Sequence, residues 1–153
     1  MLLRNAADYL ERSAARVPDK TAFSDASGAV SYRRMLHDAQ ALGTVLAAVP
    51  GCCNAPVAVM IGRTVKSLTA MQGVLQSGNY YVPLDEQMPE ARMRRILDQV
   101  HAHAIVYTEP NRAAAEKLAD CAPLVSLEEA AAHEPDPALL HARREEILDI
   151  DPV

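Results

Sequence analysis

The amino-acid sequence predicts an α/β domain: a mostly parallel, doubly wound sheet with helices on both faces. Three observations carry that expectation. Val57-Ala58-Val59-Met60-Ile61 is continuously apolar, as a strand covered on both faces of a parallel sheet must be. Strand-like runs alternate with stretches of helical period, which implies right-handed strand–helix–strand crossovers. The stretch 75–95 joins two helices through one short buried strand, and the rest of the chain is arranged around it.

Taken in order, Asn5 can cap a first helix whose apolar positions Ala6, Tyr9, Leu10, Ala14 and Val17 roughly follow helical spacing until Pro18 stops it. Residues 21–24 and 29–31 read as extended segments around the turn Asp25-Ala26-Ser27-Gly28, a small hairpin. Ser31 caps a second helix with Met35, Leu36, Ala39, Leu42 and Leu46 along one side, ended by Pro50-Gly51. Thr64 opens a third with Val65, Leu68, Met71, Val74 and Leu75 inward, and Gly78 ends it because a residue without a Cβ reaches the left-handed C-cap conformation at low cost. Tyr80, Tyr81 and Val82 form the central strand, Pro83 lacks an N–H and is expected to end it, and Asp85 turns the chain away. Pro89 suits the first turn of a fourth helix with Met93, Ile96, Leu97 and Val100 on its apolar face. A strand over 104–108, an alanine-rich helix near 111–120 and a short strand over 124–126 continue the alternation. Asp136 and Pro137 start a last helix containing Leu139, Leu140, Ile147 and Leu148, whose apolar stripe Arg143 and Arg144 interrupt; Ile150-Asp151-Pro152-Val153 resembles the lead into another strand.

The 153 residues leave room for one domain, which on the usual scaling buries roughly 70% of the surface its unfolded chain exposes. Half the residues are hydrophobic and 23% are charged, which is ordinary for a globular chain and too apolar for a disordered one. Aromatics are scarce and Trp is absent, so the core must come from Ala, Leu, Val, Ile and Met. The net charge of −5 argues against a nucleic-acid partner, whose phosphates need Lys and Arg. No apolar run approaches the ~20 residues of a spanning helix and the start has no apolar signal segment, so no membrane partner and a cytoplasmic location are expected. Cys52, Cys53 and Cys121 are odd in number with two adjacent, which suits free thiols in a reducing compartment.

Candidate chemistry is sparse. Gly62, with Arg63 and Lys66 beside it, could contact a phosphate, but a phosphate loop needs several glycines and a plain strand-to-helix turn explains one. Asp85 follows a strand as a phospho-accepting aspartate does, without the carboxylate cluster that would hold magnesium, and reads as a turn former. His101 and His103 would ligate a metal only if His133, a cysteine or a carboxylate converged on them; a histidine at a helix C-terminus is already favoured by the dipole. Cys52-Cys53 with the distant His37 could supply a thiol nucleophile, and packing accounts for these cysteines equally. Arg92, Arg94 and Arg95 read as a solvated edge, as do the pairs Glu128-Glu129 and Glu145-Glu146.

In the order of these residues the chain resembles the N-terminal part of an adenylate-forming enzyme, the AMP-binding superfamily of acyl-CoA synthetases, luciferases and nonribosomal peptide synthetase adenylation domains. Val30-Ser31-Tyr32-Arg33-Arg34-Met35-Leu36 resembles the first core motif of amino-acid adenylation domains, with Ser31 and Tyr32 before a helix, Leu36 closing its first turn, and Met35 replacing the usual acidic residue. Leu75-Gln76-Ser77-Gly78-Asn79-Tyr80-Tyr81-Val82-Pro83-Leu84-Asp85, followed by Pro89 and Arg92, resembles the more specific second motif; Ser77 and Tyr80 stand where small residues are usual. The Val82-Pro83-Leu84-Asp85 ending is similar to the amino-acid-activating branch, including D-alanine–carrier protein ligases.

The resemblance implies ATP-dependent attack of a carboxylate on the α-phosphate to give an acyl-adenylate and pyrophosphate, then transfer to a phosphopantetheine thiol, with magnesium offsetting the phosphate charge. It implies that residues 1–153 are an N-terminal subdomain stopping before the family's Ser/Thr/Gly-rich phosphate loop, so that they are inactive alone and need no cofactor. The motif positions Ser31, Tyr32, Leu36, Gly78, Val82, Pro83, Leu84, Asp85, Pro89 and Arg92 are architectural by the same comparison, and no catalytic, cofactor-binding or metal residue is carried over. The implied partners are the remainder of the adenylation domain, in cis or as a second chain, and a carrier protein. An apolar patch where the rest of the sheet would dock is expected, and leaves self-association open. A competing expectation is a non-catalytic assembly module or split-enzyme half; a small free-standing nucleotide binder would need a phosphate site that the sequence does not show.

Overall fold

The structure, a computed structural model, describes residues 5–148. The expected lead into a strand at Ile150 lies outside the described residues, as does the side chain of Leu148. Helix α1 (Ala6–Arg16) begins with a capping box: Asn5 Oδ1 accepts from the N–H groups of Ala7 and Asp8, and Asp8 accepts in return from Asn5 N–H. Its buried stripe is Ala7, Leu10 and Ala14; the expected positions Ala6 and Tyr9 face solvent, Tyr9 at 60% exposure. Strands β1 (Thr21–Asp25) and β2 (Gly28–Ser31) pair antiparallel as a separate hairpin around the expected turn. Ser31 Oγ accepts from Arg34 N–H at 3.2 Å and starts α2 (Tyr32–Ala47).

The main sheet consists of β3 (Pro56–Ile61), β4 (Tyr80–Asp85), β5 (Ala104–Tyr107) and β6 (Leu124–Ser126), all parallel in the order β4-β3-β5-β6. Helices α3 (Val65–Gln76), α4 (Glu90–Val100), α5 (Arg112–Glu116), α6 (Leu127–Ala131) and α7 (Pro137–Leu148) complete the chain. One core joins Leu42 and Leu46 of α2, Val74 of α3 and Leu127 of α6 to Val57, Val59 and Val106. The other joins Met93 and Leu97 of α4 and Leu118 to Ala58, Met60, Leu84 and Ile105. Alternate residues of β3 and β5 therefore serve opposite layers, and the doubly wound arrangement follows. A smaller cluster of Leu10, Met35 and Ala39 fastens α1 and the hairpin to α2.

Three expectations need correction. β4 is an edge strand rather than a buried one, with Tyr80 and Tyr81 51% and 38% exposed, and it does not end at Pro83. It stays in register with β3 from Pro56↔Tyr80 through Val59↔Pro83 to Ile61↔Asp85. Tyr80 and Glu86 donate their N–H groups to Ala55 and Ile61, so even-numbered residues face β3 and the missing N–H of Pro83 lies on the outer side, where a proline costs no ladder bond. In α3 the buried face is Ser67, Thr69, Ala70, Gly73, Val74 and Gln76, while Leu68 is exposed and Met71 and Leu75 are half-buried. Small residues take the inner face because α2 crosses so closely: a Cβ on Gly73 would stand 2.5 Å from Leu42 Cδ2. The helix expected near 111–120 is a 3-10 turn, Glu109–Asn111, plus the five residues of α5, after which Leu118 and Ala119 donate to carbonyls three residues back.

Candidate functional site

In an open parallel sheet, ligands settle outside the carboxyl ends of the strands where the connections reverse direction. Here the chain goes from β3 outward to β4 and returns across the sheet to β5, so that crevice lies between Gly62-Arg63-Thr64 and Thr108-Glu109. The N-terminus of α3 opens into it. Thr64 caps the helix by accepting from Ser67 N–H, and Ser67 Oγ accepts from Gly62 N–H at 3.0 Å. The next free donor, Val65 N–H, is taken at 2.8 Å by Asp25 Oδ2 from the hairpin turn.

Gly62, Val65 and Ser67 N–H at that helix end thus each have a protein partner, and Arg63 beside them is exposed. Lys66 Nζ pairs with Glu128 Oε1 at 2.7 Å. Glu128 also accepts from Glu109 N–H, and Arg112 bridges Glu109 and Glu129 at 2.6 and 2.9 Å while its guanidinium lies 5.5 Å from the ring centre of Tyr107. The hydroxyl of Ser27 and the N–H of Val65 hold the Asp25 carboxyl down to about 2. A cleft of ≈ 360 Å³ between hairpin, α2, α3 and α6 is lined by Asp25, Arg34, Asp38, Lys66 and Glu128, and its cations are paired, Arg34 with Asp38 at 2.9 Å. An anion is already in place at this helix N-terminus, and it is the chain's own carboxylate.

The motif residues occupy two separate places. Ser31 caps α2, while Tyr32 and Leu36 pack half-buried against Leu10, Met35 and Ala39. Gly78 ends α3 at φ +76°, and a Cβ there would meet Ile147 Cδ1 at 2.7 Å. Val82 is half-buried, Leu84 is fully buried against the α4 layer and Pro83 stands on the outer edge. Asp85 closes the strand, its side chain accepting from Gln87 N–H at 2.8 Å and its carbonyl from Met88 N–H. Pro89 is the N-cap of α4, its carbonyl accepting from the N–H groups of Arg92 and Met93, and Arg92 is exposed.

Among the other candidates, His101 is the left-handed C-cap of α4 and His103 is packed beside Gly51. Among the described residues no three His, Cys, Asp or Glu side chains converge in a group that could hold a metal. Burial pushes the Cys52 thiol up, against a nucleophilic role, and His37 is bonded to Asp38. Two residues that interrupt a sequence stripe turn out to be central. Arg144 donates to the carbonyl and side-chain oxygens of Gln76 and pairs with Glu11 at 2.6 Å, and Arg143 donates to the carbonyls of Ser77, Ala47 and Cys52. Their signal in sequence was only two cations on an apolar face; the carbonyls they serve lie dozens of residues away.

The fold and this crevice define a doubly wound α/β unit in which the chain's own carboxylates, Asp25 and Glu128, occupy Val65 N–H and Lys66 Nζ at the N-terminus of α3. The chain belongs to the AMP-binding enzyme family, which matches residues 10–150. It is 40% identical over 104 residues to pyochelin synthetase PchF of Pseudomonas aeruginosa, a match covering 68% of this chain and 6% of PchF. It is 28% identical over 104 residues to the nonribosomal peptide synthetase TES of Alternaria alternata, covering 68% of this chain and 2% of that protein. Its fold superimposes on the nonribosomal peptide synthetase FmoA3 in its α-methyl-L-serine-AMP-bound form with a TM-score of 0.72 at 19% identity, over 86% of this chain and 15% of the other. The chain therefore corresponds to an N-terminal piece of an adenylate-forming enzyme of the nonribosomal peptide synthetase type, and spans a small part of those relatives' length.

Proposed function

We propose that residues 1–153 are the N-terminal subdomain of an adenylation domain that uses ATP and magnesium to activate an amino acid, or a related carboxylic acid, as its adenylate and passes the acyl group to a carrier's phosphopantetheine thiol. The observation that carries this reading is the 40% identity to PchF over 104 residues, within a family match running from 10 to 150. The aminoacyl-adenylate bound by FmoA3 is the type of intermediate meant. The subdomain's part is architectural: it supplies the layered sheet, while the phosphate-handling groups come from the rest of the domain. That division fits the filled N-terminus of α3, where Asp25 holds Val65 N–H and Glu128 holds Lys66.

The test is carboxylate-dependent ATP–pyrophosphate exchange, run with a panel of amino, hydroxy and aryl acids on the 153-residue chain and on the longer polypeptide read from the native gene. Exchange is expected only from the longer one. Exchange by the 153-residue chain would refute the division of labour, and none by the longer polypeptide with any acid would refute the ligase reading.

A further inference from the structure

Polar side chains from α1, α3 and α7 converge inside the α2–α3 layer. Arg144 is buried, and its two terminal nitrogens serve different partners: Nη1 donates to Gln76 Oε1 at 2.8 Å and Nη2 to Glu11 Oε1 at 2.6 Å. This fork fixes the orientation of the Gln76 amide, since turning it over would set an NH2 group against the guanidinium. Gln76 is fully buried, and its Nε2, on the other branch of that amide, has no hydrogen-bond partner among the described residues. One helical turn earlier, Gln72 is half-buried and its Oε1 is likewise enclosed without a partner. Residues four apart share one face of a helix, with Cβ atoms about 5–6 Å from each other. A buried donor and a buried acceptor therefore stand on the same face of α3 and are not bonded to each other.

We propose that this face holds a bound water molecule that accepts from Gln76 Nε2 and donates to Gln72 Oε1. Buried polar atoms are paired with protein or with ordered water, and a buried water makes roughly three bonds. The chemistry of the groups present selects water over an ion. A cation would face the Gln76 NH2 group and the Arg144 guanidinium; an anion would face Gln72 Oε1 and the Glu11 carboxylate. Water alone of these meets a donor and an acceptor at once. Arg144 also brings a third partner near, because Gln76 and Glu11 are held on adjacent nitrogens of one planar group, and the Glu11 carboxylate takes the water's second hydrogen. The three helices are then joined by a continuous polar seam, Gln72, water, Gln76, Arg144 and Glu11, in which each bond polarises the next. The site lies wholly within the described residues and does not depend on the ligase reading.

The experiment is a crystal structure of the 153-residue chain at a resolution that places ordered waters, with NMR of the 15N-labelled chain alongside. The Gln76 side-chain NH2 resonances are assigned by their loss in Gln76→Met. An isolated oxygen peak within hydrogen-bond distance of both Gln76 Nε2 and Gln72 Oε1 is expected. In solution, cross-relaxation between the Gln76 NH2 and water should have opposite signs in the laboratory and rotating frames, as for a water that tumbles with the protein. Gln72→Met keeps the side-chain length and removes the acceptor, so the cross-peak should be lost while the remaining spectrum is kept. A direct Gln76 Nε2 to Gln72 Oε1 hydrogen bond, absence of density between them, or absence of cross-relaxation in the natural chain would each overturn the proposal, whether or not the variants fold. A cross-peak that persists in a folded Gln72→Met chain would overturn the bridge by assigning the water to other partners.

Discussion

Asp25 belongs to a hairpin turn and acts on a helix 40 residues further along. One of its oxygens accepts from the N–H and hydroxyl of Ser27 at 2.7 and 2.6 Å, and the other accepts from Val65 N–H. These donors favour the ionised form, so the carboxyl titrates near 2 rather than 3.8. A depressed carboxyl adds stability that is complete above its unfolded value and disappears as the pH falls through its folded one. In urea unfolding, Asp25→Asn should therefore be less stable than the natural chain by a constant margin at neutral pH, and the margin should close between 3.8 and about 2. A margin that persists unchanged to the acid end would exclude the carboxylate as its source. The Asp-Ala-Ser-Gly turn is legible in the sequence because its bonds are local. The bond to Val65 is not, because nothing in a turn's composition says which helix it will meet.

At the scale of elements, the close approach of α2 and α3 sets the spacing of one whole layer. Gly73 faces Leu42 so directly that a Cβ would stand 2.5 Å from Cδ2 and 2.9 Å from both Cβ and Cγ, and Leu42 is fully buried. Replacing a mid-helix glycine by alanine gains about 1 kcal/mol of helix propensity. Forcing a methyl into a filled interface costs about 1–3 kcal/mol, and here the obstruction includes the base of the leucine side chain rather than only its tip. The second effect wins, and Gly73→Ala should lower the unfolding free energy by up to about 2 kcal/mol in chemical denaturation; a stabilised variant would show that the two helices can slide apart freely. The order of strands and helices could be read from periodicity, including the apolar β3 and the cap at Ser31, because local propensity and tertiary packing agree there. Where they disagree the reading failed: Leu68 looks like part of a core stripe yet is exposed, and the face turned to α2 carries Gly73, where a Cβ would meet Leu42. Pro83 looked like a strand terminator because its effect depends on whether the missing N–H faces a neighbour, and edge or interior position is a property of the sheet.

The same limit applies to the molecule as a whole, whose first and last described helices are joined by one side chain. Arg144 is 5% exposed; it reaches Glu11, 133 residues away, and both oxygens of Gln76, 68 residues away. Next to it Arg143 serves carbonyls at the C-terminal ends of α2 and α3, where the helix dipoles favour positive charge. α7 is thus held by Leu140 beside Gly43, Ile147 beside Gly78 and two guanidinium groups rather than by a continuous apolar stripe. Removing one partner of a buried pair leaves the other desolvated, at a cost of about 3–5 kcal/mol, whereas replacing both by apolar residues of similar size is often neutral. Domains of this size have about 5–15 kcal/mol in all. Arg144→Leu should therefore shift urea unfolding to markedly lower concentration in a single transition, and the double variant Glu11→Leu, Arg144→Leu should recover most of the loss. Because Arg144 touches α1, α3 and α7 together, the slope of that transition should match the natural chain's. An early, shallow step releasing only the terminal helices would mean that α1 and α7 form a separate unit, and that the clamp fastens them to the sheet without contributing to its cooperativity.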